Sequence, residues 1–87
     1  MAQIGAEMEQ LEQLRQIFTT KAGEIEQLKS AIEGQLHGTW WVGPAADRFK
    51  GEWSASFKPN LTNLQNALHE ASAEVGRRHA ALVAAGS

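Results

Sequence analysis

The stretch Gly38-Thr39-Trp40-Trp41-Val42-Gly43-Pro44 interrupts a sequence that is otherwise typical of α-helix on both sides. The two glycines can adopt positive φ without a Cβ clash, and the proline has its φ fixed near the helical value. Proline is favoured at the first position of a helix, because its missing N–H would have no partner there. The stretch therefore predicts a tight connection between two helices.

The segment before this turn carries apolar residues at helical spacing. They repeat every seven residues and cover roughly half of the helix circumference. The repeat consists of Ile4, Leu11, Phe18, Ile25 and Ile32, with Leu28 and others beside it. The charged residues of this segment, among them Lys29 and Glu33, fall on the remaining face, for which the pattern predicts a solvated surface.

The segment after the turn carries a second apolar stripe, roughly a third of the circumference wide. The stripe consists of Phe49, Trp53, Phe57, Leu61, Leu64, Leu68, Ala71, Val75 and Leu82. Pro59 lies inside this pattern and predicts a local bend, because an interior proline removes one backbone hydrogen bond. Together the patterns predict one all-α domain over residues 1–87, with helices at about 4–37 and 44–84 and a turn at 38–43.

Composition excludes several classes of function. The chain has 87 residues, no cysteine and a net charge of −2. The absence of cysteine leaves neither a disulfide framework nor a thiolate metal site, and the charge disfavours a nucleic-acid surface. The N-terminus lacks the basic and apolar regions of a cleavable signal peptide, and no apolar run is long enough for a membrane span.

The sequence offers no pattern typical of catalysis or of cofactor binding. Of the three histidines, His69 and His79 are ten residues apart on one predicted helix, about 15 Å of rise, which is too far to share a metal. The segment from Gly38 to Gly43 is followed by Pro44, where a phosphate-binding loop needs lysine. We therefore expect no enzyme, no metal and no cofactor.

Two long helices joined by so short a turn must run antiparallel as a hairpin. One neighbouring helix cannot cover a stripe that spans half of a circumference, so the pattern predicts a second hairpin and a four-helix bundle. The residues expected at that partner interface are Ile4, Leu11, Phe18, Ile25, Leu28, Ile32, Trp53, Phe57, Leu61 and Leu68.

The motif Trp41-Val42-Gly43, placed in a turn between two heptad-patterned helices, resembles that of the WXG family. These are the small early-secreted-antigen-like proteins exported by the type VII (ESX) secretion system of actinobacteria and other Gram-positive bacteria. The resemblance covers essentially the whole chain. It implies a hairpin that pairs with a second WXG protein, export of the folded dimer to the cell surface or medium without a cleavable signal, and recognition by a membrane-bound secretion ATPase.

The chain departs from this family in one respect that affects its predicted role. It contains no tyrosine, and thus no Tyr-x-x-x-Asp/Glu export signal. The resemblance then favours the signal-less subunit of a heterodimer whose partner carries the signal. A homodimer, a cytoplasmic helical adaptor and a membrane-active amphipathic hairpin stay open as alternatives. Within the turn, we expect Trp41 and Gly43 to serve export recognition and Trp40 to be the more structural tryptophan.

Overall fold

The computed structural model describes residues 2–86, with side chains from residue 5 onward, and these residues form no strand. Helix α1 spans Ala2–Gly38. After a short connection, α2 spans Pro44–Glu52, a single π-helical turn spans Trp53–Phe57, and α3 spans Lys58–Gly86. The predicted all-α class is confirmed, and the second helical segment is long and bent, in keeping with a helical hairpin.

The start of α2 depends on Gly43 and Pro44. Gly43 precedes the helix with φ 119° and ψ 176°, and its carbonyl accepts a hydrogen bond of 2.9 Å from the N–H of Asp47. This backbone conformation is accessible almost only to glycine. Gly38 does not use its conformational freedom, because Gly43 is the one residue of the described chain with positive φ.

Helices α1 and α3 run antiparallel along a continuous seam. Thr19 contacts Ser72 at 2.9 Å between the two hydroxyl oxygens, and Lys29 donates to Thr62 at 3.0 Å. A step of ten residues forward along α1, from Thr19 to Lys29, therefore matches a step of ten residues back along α3, from Ser72 to Thr62. The result is a rod of 63 × 18 × 14 Å, whose radius of gyration of 19.2 Å exceeds the ~12 Å of a compact chain of this length.

The seam contains small and polar residues in addition to apolar ones. Ala22 is fully buried, and an added Cβ at Gly76 would lie 3.6 Å from Arg15 Cδ. Lys29 is only 9% exposed, so the prediction that it lies on a solvated face is wrong. Its aliphatic stem is covered at the seam, while its ammonium contacts Thr62 and the carboxylate of Glu26 at 3.1 Å.

The predicted bend near Pro59 takes the form of the π-helical turn that immediately precedes this residue. The N–H of Lys58 bonds to the carbonyl of Trp53, five residues back, in place of the usual four. Pro59 has no N–H to donate to the carbonyl of Ala55, and its ring would crowd that carbonyl in a regular helix. The π turn places one additional residue in the winding at this point.

This additional residue changes the direction in which Trp53 points. In a continuous α-helix, Trp53 and Lys58 would be separated by about 140° around the axis. In the π turn they lie on one side, and both donate to the carboxylate of Glu33 on α1. Trp53 is 4% exposed and packed inside the hairpin, so almost none of its side chain is open to the predicted partner.

Candidate functional site

The turn end of the rod holds a cluster of four aromatic side chains centred on Phe49. The ring of Phe49 lies 5.9 Å from that of Trp41, 6.4 Å from Trp53 and 6.0 Å from Phe57, measured between centroids. Its plane is nearly parallel to that of Trp53, at 16°, and tilted against the other two. These are favourable separations for aromatic pairs, each worth about 0.5–1.5 kcal/mol beyond area burial.

Trp41 forms one wall of an apolar groove at this end. The groove has a volume of about 360 Å³, is open to solvent, and is lined by Ala31, Ile32, Gln35, Leu36, Thr39 and Trp41. Trp41 is 39% exposed, so one part of its ring packs on Phe49 and the rest remains available. Lys50 holds the backbone of the turn here by donating to the carbonyl of Trp41 at 2.9 Å.

Glu33 connects this cluster to α1. Its Oε1 accepts from Lys58 Nζ at 2.5 Å and from Trp53 Nε1 at 3.4 Å. The hydrogen bond from Lys58 lowers the pKa of the Glu33 carboxyl below its usual value; partial desolvation opposes this, and the Trp53 indole acts in the same direction as Lys58. Sequence reasoning placed Glu33 on the solvated face and missed this role, because its two donors lie on the other arm of the hairpin, 20 and 25 residues further along the chain.

The two adjacent tryptophans have different environments. Trp40 is 90% exposed, whereas Trp41 contacts Phe49. The expectation that Trp40 is the more structural of the pair is therefore wrong. The turn leaves α1 with Trp40 directed into solvent, and the backbone then brings Trp41 back over α2.

The other residues predicted at the partner interface lie along both helices. Leu28 and Phe57 are 46% and 41% exposed. The half-buried members are Leu11, Phe18, Ile25, Ile32, Leu61 and Leu68. The side chain of Ile4 lies outside the described residues. Leu14, Ile17 and Leu64, which the prediction left out of the interface, are also 42–53% exposed.

A model of the family WXG100, described as proteins of 100 residues with WXG, matches residues 3–86. The chain belongs to the WXG100 family. The sequence contains one Trp-x-Gly, at Trp41-Val42-Gly43. Its tryptophan lines the groove, and its glycine has positive φ. No match was found among curated proteins or among solved structures.

Membership of WXG100 indicates a small protein of the secreted WXG type, from a family that is non-enzymatic and whose members generally form dimers with WXG partners. Over residues 2–86, no helix has the length and apolarity that crossing a membrane requires. Within the same range, His, Cys, Asp and Glu side chains form no group of three or more that could hold a metal ion.

Proposed function

We propose that this WXG100 chain is a substrate of a type VII (ESX) secretion system and leaves the cell folded, as one subunit of a heterodimeric four-helix bundle. In this proposal the partner is a second WXG hairpin that carries the export signal, and the membrane-bound secretion ATPase recognises the pair. The producing organism would be an actinobacterium or another Gram-positive bacterium. Family membership supports the secreted type and the pairing.

The observation that carries the proposal is the apolar surface left open by the hairpin. The chain exposes 6204 Å², whereas a compact 9.5 kDa protein exposes about 5,000 Å². The excess, roughly 1,200 Å², is somewhat larger than one side of a standard protein–protein interface, which buries about 800 Å² per partner. Several large apolar side chains on this surface are about half exposed, among them Ile17, Leu28 and Leu64.

The turn supplies the recognition element in this proposal. Trp41 presents the exposed part of its ring to the apolar groove, which would receive an apolar segment of the partner at the end of the bundle. Gly43 sets the backbone conformation that places Trp41 there. Since an antiparallel bundle brings one hairpin's turn beside the other's termini, the signal-bearing tail of the partner would lie next to this groove.

Co-expression with a neighbouring small open reading frame, followed by native mass spectrometry, tests the heterodimer directly. Trp41→Ala tests the recognition role, because its loss should stop export of both partners while circular dichroism and dimer mass stay the same. The matched control is Trp40→Ala in the adjacent, solvent-exposed position. Export of a correctly folded Trp41→Ala dimer at the normal level would contradict the recognition role, and a mass showing only free monomer would contradict the pairing.

A further inference from the structure

The two helical segments lie further apart at the turn end than along the seam. Close backbone approach between the arms of the hairpin is concentrated between α1 and α3. Two hollows flank this junction. One is the apolar groove beside Trp41, and the other, of about 190 Å³, is lined by Glu33, Leu36, His37, Lys50, Trp53 and Ser54.

Trp53 lines the second hollow together with Glu33, to which its indole N–H donates. One oxygen of the carboxylate accepts from both Trp53 and Lys58. Trp53 is the first residue of the π turn, and Lys58 is the residue that follows it. Glu33 and Lys58 are 35% and 43% exposed in their side chains, so this contact lies at the rim of the junction. The contact thereby joins α1 to the residues at the two ends of the π turn.

The contact continues from Trp53 to the groove. The rings of Trp53 and Phe49 are stacked nearly parallel, and Phe49 in turn contacts Trp41. Lys50, next to Phe49, holds the Trp41 carbonyl. A shift of Trp53 out of the junction would therefore remove the support on which α2 places Trp41.

We propose that Glu33 is a positioning residue for the partner-binding groove, acting through the π turn, Trp53 and Phe49 to hold Trp41 as a preformed wall. The groove is then defined by a residue eight positions before Trp41, in addition to the WXG motif itself. This inference rests on the proposed function in one respect, namely that the groove is where a partner segment binds.

The test compares Glu33→Ala with Glu26→Ala in the full chain. Glu26 is the matched control, because it lies seven residues earlier on α1 and also loses an ion pair with a lysine, Lys29, when replaced. Lys58→Met is a second, independent variant at the same contact. Indole ¹H–¹⁵N resonances are assigned by Trp→Phe replacements, and ring-to-ring nuclear Overhauser effects are measured between Trp41 and Phe49.

In Glu33→Ala, we expect the Trp53 indole proton to exchange with solvent about five- to tenfold faster, because the indole loses one hydrogen bond. The Trp41 to Phe49 Overhauser effect should weaken in Glu33→Ala and in Lys58→Met but not in Glu26→Ala. Helix content should be the same in all three. An unchanged Trp41 to Phe49 effect in both Glu33→Ala and Lys58→Met would overturn the positioning role.

Export assays of the same variants separate this inference from the proposed function. If Trp41→Ala blocks export and Glu33→Ala reduces it more than Glu26→Ala does, both hold. If Trp41→Ala blocks export while Glu33→Ala is exported like the wild type, the positioning role is refuted alone. If Trp41→Ala is exported normally, the recognition role of the groove is refuted, and the Overhauser measurement still decides whether Glu33 positions Trp41.

Discussion

Replacing Gly43 by alanine isolates the energetic cost of one backbone conformation. Gly43 has φ 119° and ψ 176°, and an added Cβ would meet no atom within 4 Å. The cost of Gly43→Ala is therefore conformational and not a steric clash with a neighbour. Holding a residue other than glycine in this region costs about 1–3 kcal/mol. For a domain of this size, each kcal/mol lowers the melting temperature by about 4–8 °C.

The matched control is Gly34→Ala, one turn before the end of α1. An added Cβ there also meets nothing within 4 Å, but Gly34 is helical, so alanine should stabilise the chain by about 0.5–1 kcal/mol. The two alanine variants should thus move the free energy of unfolding in opposite directions. Urea unfolding followed by circular dichroism measures both, at one fixed protein concentration because association also stabilises the fold.

A mirror-image residue completes the test. D-alanine prefers the positive φ that L-alanine avoids, since its allowed regions are those of L-residues inverted. The chain is short enough for chemical synthesis, and D-Ala at position 43 should restore wild-type stability. If L-alanine at position 43 proves as stable as glycine, the conformation of the turn does not require glycine and the reasoning fails.

Three further outcomes are expected. Trp53→Ala should lower the free energy of unfolding by about 3–5 kcal/mol in urea titrations, whereas Trp40→Ala should change it by less than about 0.5 kcal/mol; equal effects would contradict the assigned burial. Leu28→Asp should abolish dimerisation, measured by light scattering, and leave the helix content of the hairpin intact. The reason is that the unpaired charge would be buried only at the partner interface. A dimer that persists in this variant would show that Leu28 is not part of that interface. Acidification should destabilise the chain below about pH 4.5, because Lys58 lowers the pKa of Glu33 and Arg15 lowers the pKa of Glu12. The stabilisation from these ion pairs is complete above the unfolded pKa and is lost as pH falls through the folded pKa. A melting temperature that stays constant from pH 6 to pH 3 would count against these ion pairs.

The helices and the turn could be predicted from the sequence because their signals are local. Apolar spacing identified the two arms, and the glycines with Pro44 identified the connection between them. The Trp-x-Gly motif in that connection was enough to indicate the family. The placement of Trp53 could not be predicted in the same way, because a helical projection assumes a constant rotation for each residue. One π turn changes that rotation, so a projection at a constant angle does not give the position of Trp53 relative to the seam.

In the candidate site too, local sequence signals could be read from the sequence, whereas contacts set by the backbone path could not. Trp40 and Trp41 are chemically identical neighbours, so only the path of the backbone through the turn separates the exposed ring from the packed one. Likewise, Lys29 and Glu33 have the spacing of surface residues on α1. Their contacts with Thr62 and Lys58 come from the other arm of the hairpin, and sequence distance along one helix gives no information about them.

The polar pairs along the seam have a consequence for how the two arms align. An apolar pattern that repeats every seven residues looks nearly the same after one arm slides past the other by seven positions, about 10 Å. Such a slip would separate Thr19 from Ser72 and Lys29 from Thr62, and would leave the covered ammonium of Lys29 without its hydroxyl partner. The apolar repeats favour association of the two arms, while these few polar contacts select one alignment out of several with similar hydrophobic burial.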